Sequence, residues 1–251
     1  MKVMHAFRIS PAALAVLLTS SIAHASSDGV SDTYRLTLAV NHPIEGNLTG
    51  GFSLDYFNNP NRDYQRYQIT WPQATYAVMP WLQLSGGLLS RFTDNEGTAD
   101  LLELRPYSGV KLFVPNPWQW NIYSYTRYEY RAFKNLDTGD WSDRNRLRSQ
   151  FGVEVPLASQ QRAWKPKTWY ALASAEPFYR FDTGEIDPVR LSAGIGRVLN
   201  DRLRVEFLYY AELSRSSGGG LRYSENIFQL NFRLGLKQGL LRRLLEPTSK
   251  E

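Results

Sequence analysis

Residues 144–156 read Arg144-Asn145-Arg146-Leu147-Arg148-Ser149-Gln150-Phe151-Gly152-Val153-Glu154-Val155-Pro156. Alternate positions separate almost completely. Arg144, Arg146, Arg148, Gln150, Gly152 and Glu154 share one side, and Asn145, Leu147, Ser149, Phe151, Val153 and Val155 share the other. This period of two is that of an extended strand, whose successive side chains point to opposite faces. A helix, with its period of 3.6, would scatter both sets around its circumference.

The same division recurs along the chain. In 202–214, Arg202, Arg204, Glu206, Tyr210 and Glu212 oppose Leu203, Val205, Phe207, Tyr209, Ala211 and Leu213. In 224–236, Glu225, Gln229, Asn231 and Arg233 oppose Phe228, Leu230, Phe232, Leu234 and Leu236. Segments of this kind, separated by Gly, Pro, Asn and Asp, predict strands at 34–41, 49–57, 66–78, 81–92, 101–114, 119–133, 144–156, 168–180, 188–199, 202–214 and 224–236. Bacterial single-chain barrels have even strand numbers, so ten or twelve strands are expected from these eleven segments.

A soluble β-sandwich alternates too, with one face on its core and one in water. Two features favour a membrane barrel. Strands of ten or more residues match a tilted bilayer span, and aromatic residues gather near segment ends as interfacial girdles do. Trp71, Trp81, Trp118, Trp120, Trp141, Trp164 and Trp169 are all placed near strand ends or in loops by this reading. The connections 58–65, 93–100, 134–143, 181–187 and 214–223 are polar and longer, whereas Pro115-Asn116-Pro117 and Asn200-Asp201 read as tight turns. Long loops outside and short turns toward the periplasm are the arrangement of an outer-membrane barrel. Residues 156–167 depart from it, being long where a short turn is expected.

Residues 1–25 read as a secretory signal peptide: Lys2 and Arg8, an apolar run from Ile9 to Ile22, then Ala23-His24-Ala25 as an A-x-A cleavage site. Cleavage there brings 29 basic residues to 27 against 24 acidic ones, a net charge of +3. That near balance, with arginines spread over alternating segments, argues against nucleic acid as a partner. The chain has no cysteine, which removes disulfides, thiol chemistry and Cys-based metal sites. The mature part contains no stretch approaching eighteen apolar residues, so any membrane span must be a strand of a closed barrel.

The predicted architecture is therefore an all-β, antiparallel up-and-down transmembrane barrel of 10–12 strands over residues 26–236. Residues 237–251 form a periplasmic tail or a short interfacial helix, with Leu240, Leu241, Leu244 and Leu245 on one helical face beside Arg242 and Arg243. The predicted location is the outer membrane of a Gram-negative bacterium after signal-peptide cleavage. Outer-membrane lipid and lipopolysaccharide, and the barrel-assembly machinery during insertion, are then the expected partners.

The polar faces carry the one unusual constellation. Glu103, Arg105 and Lys111 come from one segment, Arg127, Glu129 and Arg131 from the next, and Arg144, Arg146, Arg148 and Glu154 from a third. Glu176, Arg180, Arg190, Arg204, Glu206, Glu212 and Arg233 follow. Facing a lumen, these side chains come within cross-strand reach, where guanidinium and carboxylate pair bidentately. One consequence is a charged eyelet that admits small polar solutes and prefers anions, because arginine outnumbers glutamate. The other is a salt-bridged plug that closes a narrow barrel and leaves it a structural or assembly role.

Enzymatic readings meet a shortage of histidine. His5 and His24 leave with the signal peptide, and His42 remains. A membrane-embedded acyl hydrolase would need His42 as its base, but it stands beside Pro43 with no nucleophile motif to mark a serine partner. Glu176 with Asp182, and Asp137 with Asp140, show no sign of a desolvated carboxylate pair. Ser217-Gly218-Gly219-Gly220 has no following Lys-Ser/Thr to make a phosphate cradle. No cofactor, metal or covalent chemistry is expected. A soluble periplasmic sandwich binder is a further alternative, one that would stay in solution without detergent.

Glu103-Leu-Arg105, Arg127-Tyr-Glu129-Tyr-Arg131, Arg144-Asn-Arg146-Leu-Arg148, Glu176-Pro-Phe178 and Arg190 before Gly194-Ile-Gly196 resemble, in order and spacing, the outer-membrane barrel family catalogued as domain of unknown function 2490. The resemblance covers residues 34–236 and implies an outer-membrane β-barrel. It carries over no activity, substrate or catalytic residue, and the Leu-rich extension after Leu236 departs from it.

Overall fold

The computed structural model describes residues 30–62, 64–216 and 220–236, so the predicted signal peptide and the 237–251 tail lie outside the described residues, as do 217–219 of the glycine-rich loop. Eleven strands follow one another: β1 (Ser31–Glu45), β2 (Leu48–Asn59), β3 (Tyr64–Met79), β4 (Leu82–Asn95), β5 (Leu101–Val114), β6 (Asn121–Asn135), β7 (Trp141–Pro156), β8 (Trp169–Arg180), β9 (Glu185–Val198), β10 (Leu203–Arg215) and β11 (Leu221–Gly235). Each pairs antiparallel with its sequence neighbour, and the meander closes into a barrel.

The count is eleven, within the expected 10–12, and it corrects only the expectation of an even number. In an up-and-down meander of odd number the first and last strands run the same way, so closure needs a parallel seam. β1 and β11 form it, from Ser31↔Glu225 to Asn41↔Gly235. Closure leaves no strand edge to recruit another chain.

The alternation sorts inside from outside. Outward-facing apolar side chains such as Leu38, Leu54, Ile69, Leu112, Phe151, Ile195, Phe207 and Leu230 remain exposed around the circumference. The buried set includes the inward Asp55, Gln68, Glu103, Arg105, Glu129, Glu154, Glu176, Glu206, Gln229 and Asn231.

Four tyrosine–glycine contacts help to fit the bulky interior. Tyr170 pairs with Gly196 across β8–β9, and a Cβ on Gly196 would strike the Tyr170 ring. Tyr123 lies over Gly152 in the same way, where an added Cβ would stand 2.5 Å from the ring. The ring occupies the space left by the missing side chain, and the wall can then carry large aromatics without bulging. Similar contacts link Tyr107 with Gly87 and Tyr125 with Gly109. Gly194 is tight for a different reason, because its missing Cβ would meet the Phe207 carbonyl of β10.

One end of the barrel carries connections of four or five residues, at 60–63, 96–100, 136–140, 181–184 and 216–220. The other carries 46–47, 80–81, 115–120, 157–168 and 199–202. The expected contrast of long and short ends is thus weak, because the strands extend into the predicted loops. Residues 157–168, the departure noted in the sequence, do form the longest connection. Five of the tryptophans are more than two-fifths exposed, and four of these, Trp81, Trp118, Trp141 and Trp169, stand at or beyond strand ends. Trp71 corrects the end-of-strand expectation: it sits in the middle of β3, 66% exposed, where the β2 and β4 registers shift around Pro72. Pro72 has no N–H to give the ladder, and a break in register accommodates it.

Candidate functional site in the barrel lumen

Within the lumen, three buried glutamates organise the arginines. Glu129, with no exposed surface, accepts from Arg127 Nε at 2.7 Å and Arg146 Nε at 2.9 Å, and Arg105 and Arg148 each bring an Nη1 to 3.6 Å. Glu103 accepts from Arg105 Nε at 2.8 Å and Arg131 Nε at 2.6 Å, with Arg91 Nη1 at 3.6 Å. Glu176 accepts from Arg148 Nε at 2.7 Å. Six guanidiniums and three carboxylates are thereby joined in one continuous network.

Strand register produces this layout. Arg91↔Glu103 and Glu129↔Arg146 are direct cross-strand partners, while Arg127 sits opposite Arg148 and Arg131 opposite Arg144. Opposed like charges repel, so Arg127 turns along its strand to Glu129, and Arg131 and Arg148 reach across to Glu103 and Glu176 on the neighbouring strands. Phe178, 1% exposed, supports three of them: the guanidiniums of Arg146, Arg148 and Arg190 lie 4.7, 5.0 and 5.1 Å from its ring centre. Cations over an aromatic face are attracted by its quadrupole.

A second group lies further round the wall. Glu206 accepts from Tyr170 Oη at 2.7 Å, Asn231 Nδ2 at 2.7 Å and Arg233 Nε at 3.1 Å. Glu154 accepts from Asn121 Nδ2 at 3.0 Å, and Arg190 Nε donates to Glu212 at 2.5 Å. Tyr170, Leu172, Val198 and Leu208 form a small apolar core beside them, with Trp164 from the 157–168 connection packed on it.

Of the seventeen predicted lumen charges, Glu103, Arg105, Arg127, Glu129, Arg131, Arg146, Arg148 and Glu176 come together in the central network, Glu154, Arg190, Glu206, Glu212 and Arg233 lie in the groups beside it, and Lys111 packs over the Tyr123 ring. Three stand apart. Arg144 lies over the Phe133 ring at 4.7 Å with no ion pair among the described residues. Arg204 covers Trp164 at 5.2 Å. Arg180 turns to Asp182 at 2.8 Å, and its hydrogen bonds hold the Asp182 carboxyl below the usual carboxylate range. All three sit toward strand ends, beyond the reach of the central glutamates.

The first four strands contribute residues that the sequence reading did not single out. Asp55 accepts from Arg35 Nη2 at 2.7 Å, Thr37 Oγ1 at 2.6 Å and Gln68 Nε2 at 3.0 Å. Glu225 is surrounded by Thr33, Asn59 and Tyr64. The available signal was the same alternation, Arg35/Thr37, Asp55/Phe57 and Arg66/Gln68, but each of these pairs carries only one charge.

Around these groups the lumen encloses a cavity of about 510 Å³. Its wall includes Arg35, Arg66, Arg91, Arg105, Lys111, Arg127, Arg146, Arg148, Arg190 and Arg233, against the acidic Asp55, Glu154 and Glu225. Glu103, Glu129, Glu176 and Glu206 are buried behind their arginines and do not line it. The His42 ring packs near Gly50 and makes no hydrogen bond to a serine or carboxylate among the described residues. Glu176 and Asp182 go to different arginines, Arg148 and Arg180. Among the described residues no cluster of three or more His, Asp or Glu side chains is placed to hold a metal ion.

Residues 34–222 match the family described as Protein of unknown function (DUF2490). The chain belongs to that family. The matched region takes in all of the central charge network and ends within β11. No curated protein matches the chain significantly.

Proposed function

We propose that this member of the family is a non-enzymatic outer-membrane barrel, exported with a cleaved leader, whose lumen admits small solutes and prefers anions. The observation that carries the reading is the inversion of polarity. Apolar side chains cover the outside, and the inner cavity wall holds ten cationic side chains against three acidic ones. An apolar circumference of this extent suits hydrocarbon, since soluble proteins rarely expose large contiguous apolar patches. Fixed cations around a narrow lumen lower the energy of an entering anion and raise that of a cation. Outer-membrane lipid and lipopolysaccharide would then contact the outer face, and the assembly machinery would insert the barrel.

The test is planar-bilayer conductance of the refolded mature protein under a KCl gradient. Discrete steps with an anion-selective reversal potential support the proposal, and Arg127→Ala and Arg146→Ala should shift that potential toward zero. A folded, inserted barrel that stays silent would favour the second reading, a closed structural barrel. That reading draws on the dense pairing around Glu103 and Glu129. Mature protein that remains monomeric in solution without detergent would sink both and favour a soluble binder.

A further inference from the structure

The central network is not electrically balanced. Arg91, Arg105, Arg127, Arg131, Arg146 and Arg148 share the carboxylates of Glu103, Glu129 and Glu176, six cations on three anions. All three carboxylates are under 5% exposed, so they neutralise the arginines from behind, and five of the six arginines line the cavity. Two more cations join them from elsewhere on the wall. Lys111 Nζ stands 4.0 Å from the Tyr123 ring centre, and the Arg66 guanidinium 3.9 Å from that of Tyr64. Neither has an ion-pair partner among the described residues.

Uncompensated charge enclosed by protein is costly unless a counter-charge accompanies it. Guanidinium forks match carboxylate and phosphate oxygens bidentately, so the complementary guest presents several such oxygens. The volume, about 510 Å³, lies within the range of small-molecule sites. We infer that the cavity is a saturable binding site for one small polyanion carrying two or more phosphate or carboxylate groups. This rests on reading the lumen as a solute compartment, and it adds residence at a defined site to mere passage.

The experiment is isothermal titration of the full mature protein, folded in a zwitterionic detergent, with inorganic pyrophosphate and, separately, with citrate. Saturable binding of at least one of them at about one per barrel is expected, and the arm that binds more tightly identifies phosphate or carboxylate as the favoured group. The Lys111→Gln/Arg66→Gln double variant removes two wall cations without breaking an ion pair among the described residues, and should weaken that binding about tenfold or more. Its fold is checked by heat-modifiable gel mobility. Absence of saturable binding by both anions overturns the inference, as does an affinity unchanged in the folded double variant. Anion-selective conductance without saturable binding overturns the site while leaving the channel standing. Saturable, variant-sensitive binding in a barrel that does not conduct upholds the site and removes the channel.

Discussion

Arg127 and Arg148 stand directly opposite each other across the β6–β7 ladder, two like charges in register, and both reach the same Glu129 carboxylate. The arrangement holds only because Glu129 collects four arginines from three strands. Replacing Glu129 with Gln keeps the shape and removes the charge they share. Taking one partner from a buried ion pair costs about 3–5 kcal/mol. The variant should unfold at clearly lower urea concentration than wild type, measured by tryptophan fluorescence in detergent; an unchanged midpoint would refute the central role of Glu129.

The outer face gives an independent test. Phe151 and Phe207 are each more than half exposed and point away from the lumen. In hydrocarbon, Phe151→Arg or Phe207→Arg should cost about 2–4 kcal/mol near the midplane. Reduced yield in the membrane fraction is expected for both, with little effect from Arg at a loop position such as Thr138. Full yield from both would count against this face meeting lipid.

Gly196 carries no side chain because Tyr170 occupies that space, its hydroxyl donating to Glu206 at 2.7 Å. Gly196→Ala forces the ring off its place, an overpacking cost of about 1–3 kcal/mol. Thermal unfolding should show Gly196→Ala less damaging in a Tyr170→Ala background than in wild type, the non-additivity expected of residues in contact. Strictly additive losses would mean that the ring is not what excludes a side chain there.

Trp164 pins the 157–168 connection. Its Nε1 donates to the Gln119 carbonyl at 2.8 Å, and its ring lies 5.1 Å from that of Tyr170. Trp164→Ala loses that hydrogen bond, worth about 1 kcal/mol, together with the ring packing. The connection should open roughly tenfold more often, read as faster trypsin cleavage after Arg162 and Lys167 in the folded barrel. Equal cleavage rates in the two proteins would show that Trp164 does not anchor the segment.

Much of this barrel is local and therefore legible from residues alone. A strand's period of two lies within the strand itself, so Arg144 to Glu154 and Leu147 to Val155 divide correctly before any partner is known. The eleven segments were visible for the same reason. So was the cationic surplus of the polar faces, because composition does not depend on pairing.

Closure, by contrast, was decided by the tertiary structure. The even number expected for such barrels is a habit of the class, whereas the parallel β1–β11 seam depends on which strand ends meet, and no local pattern encodes that. The partners of the charges were also hidden. A carboxylate's neighbours are set by the register of adjacent strands, which brings Arg105 and Arg148 from different strands to Glu129 and leaves Arg144, Arg180 and Arg204 outside the network. Register is a relation between distant segments, and a slip of one residue would turn every arginine to the opposite face. Alternation along one strand fixes which residues point inward; only the closed ladder determines what they meet there.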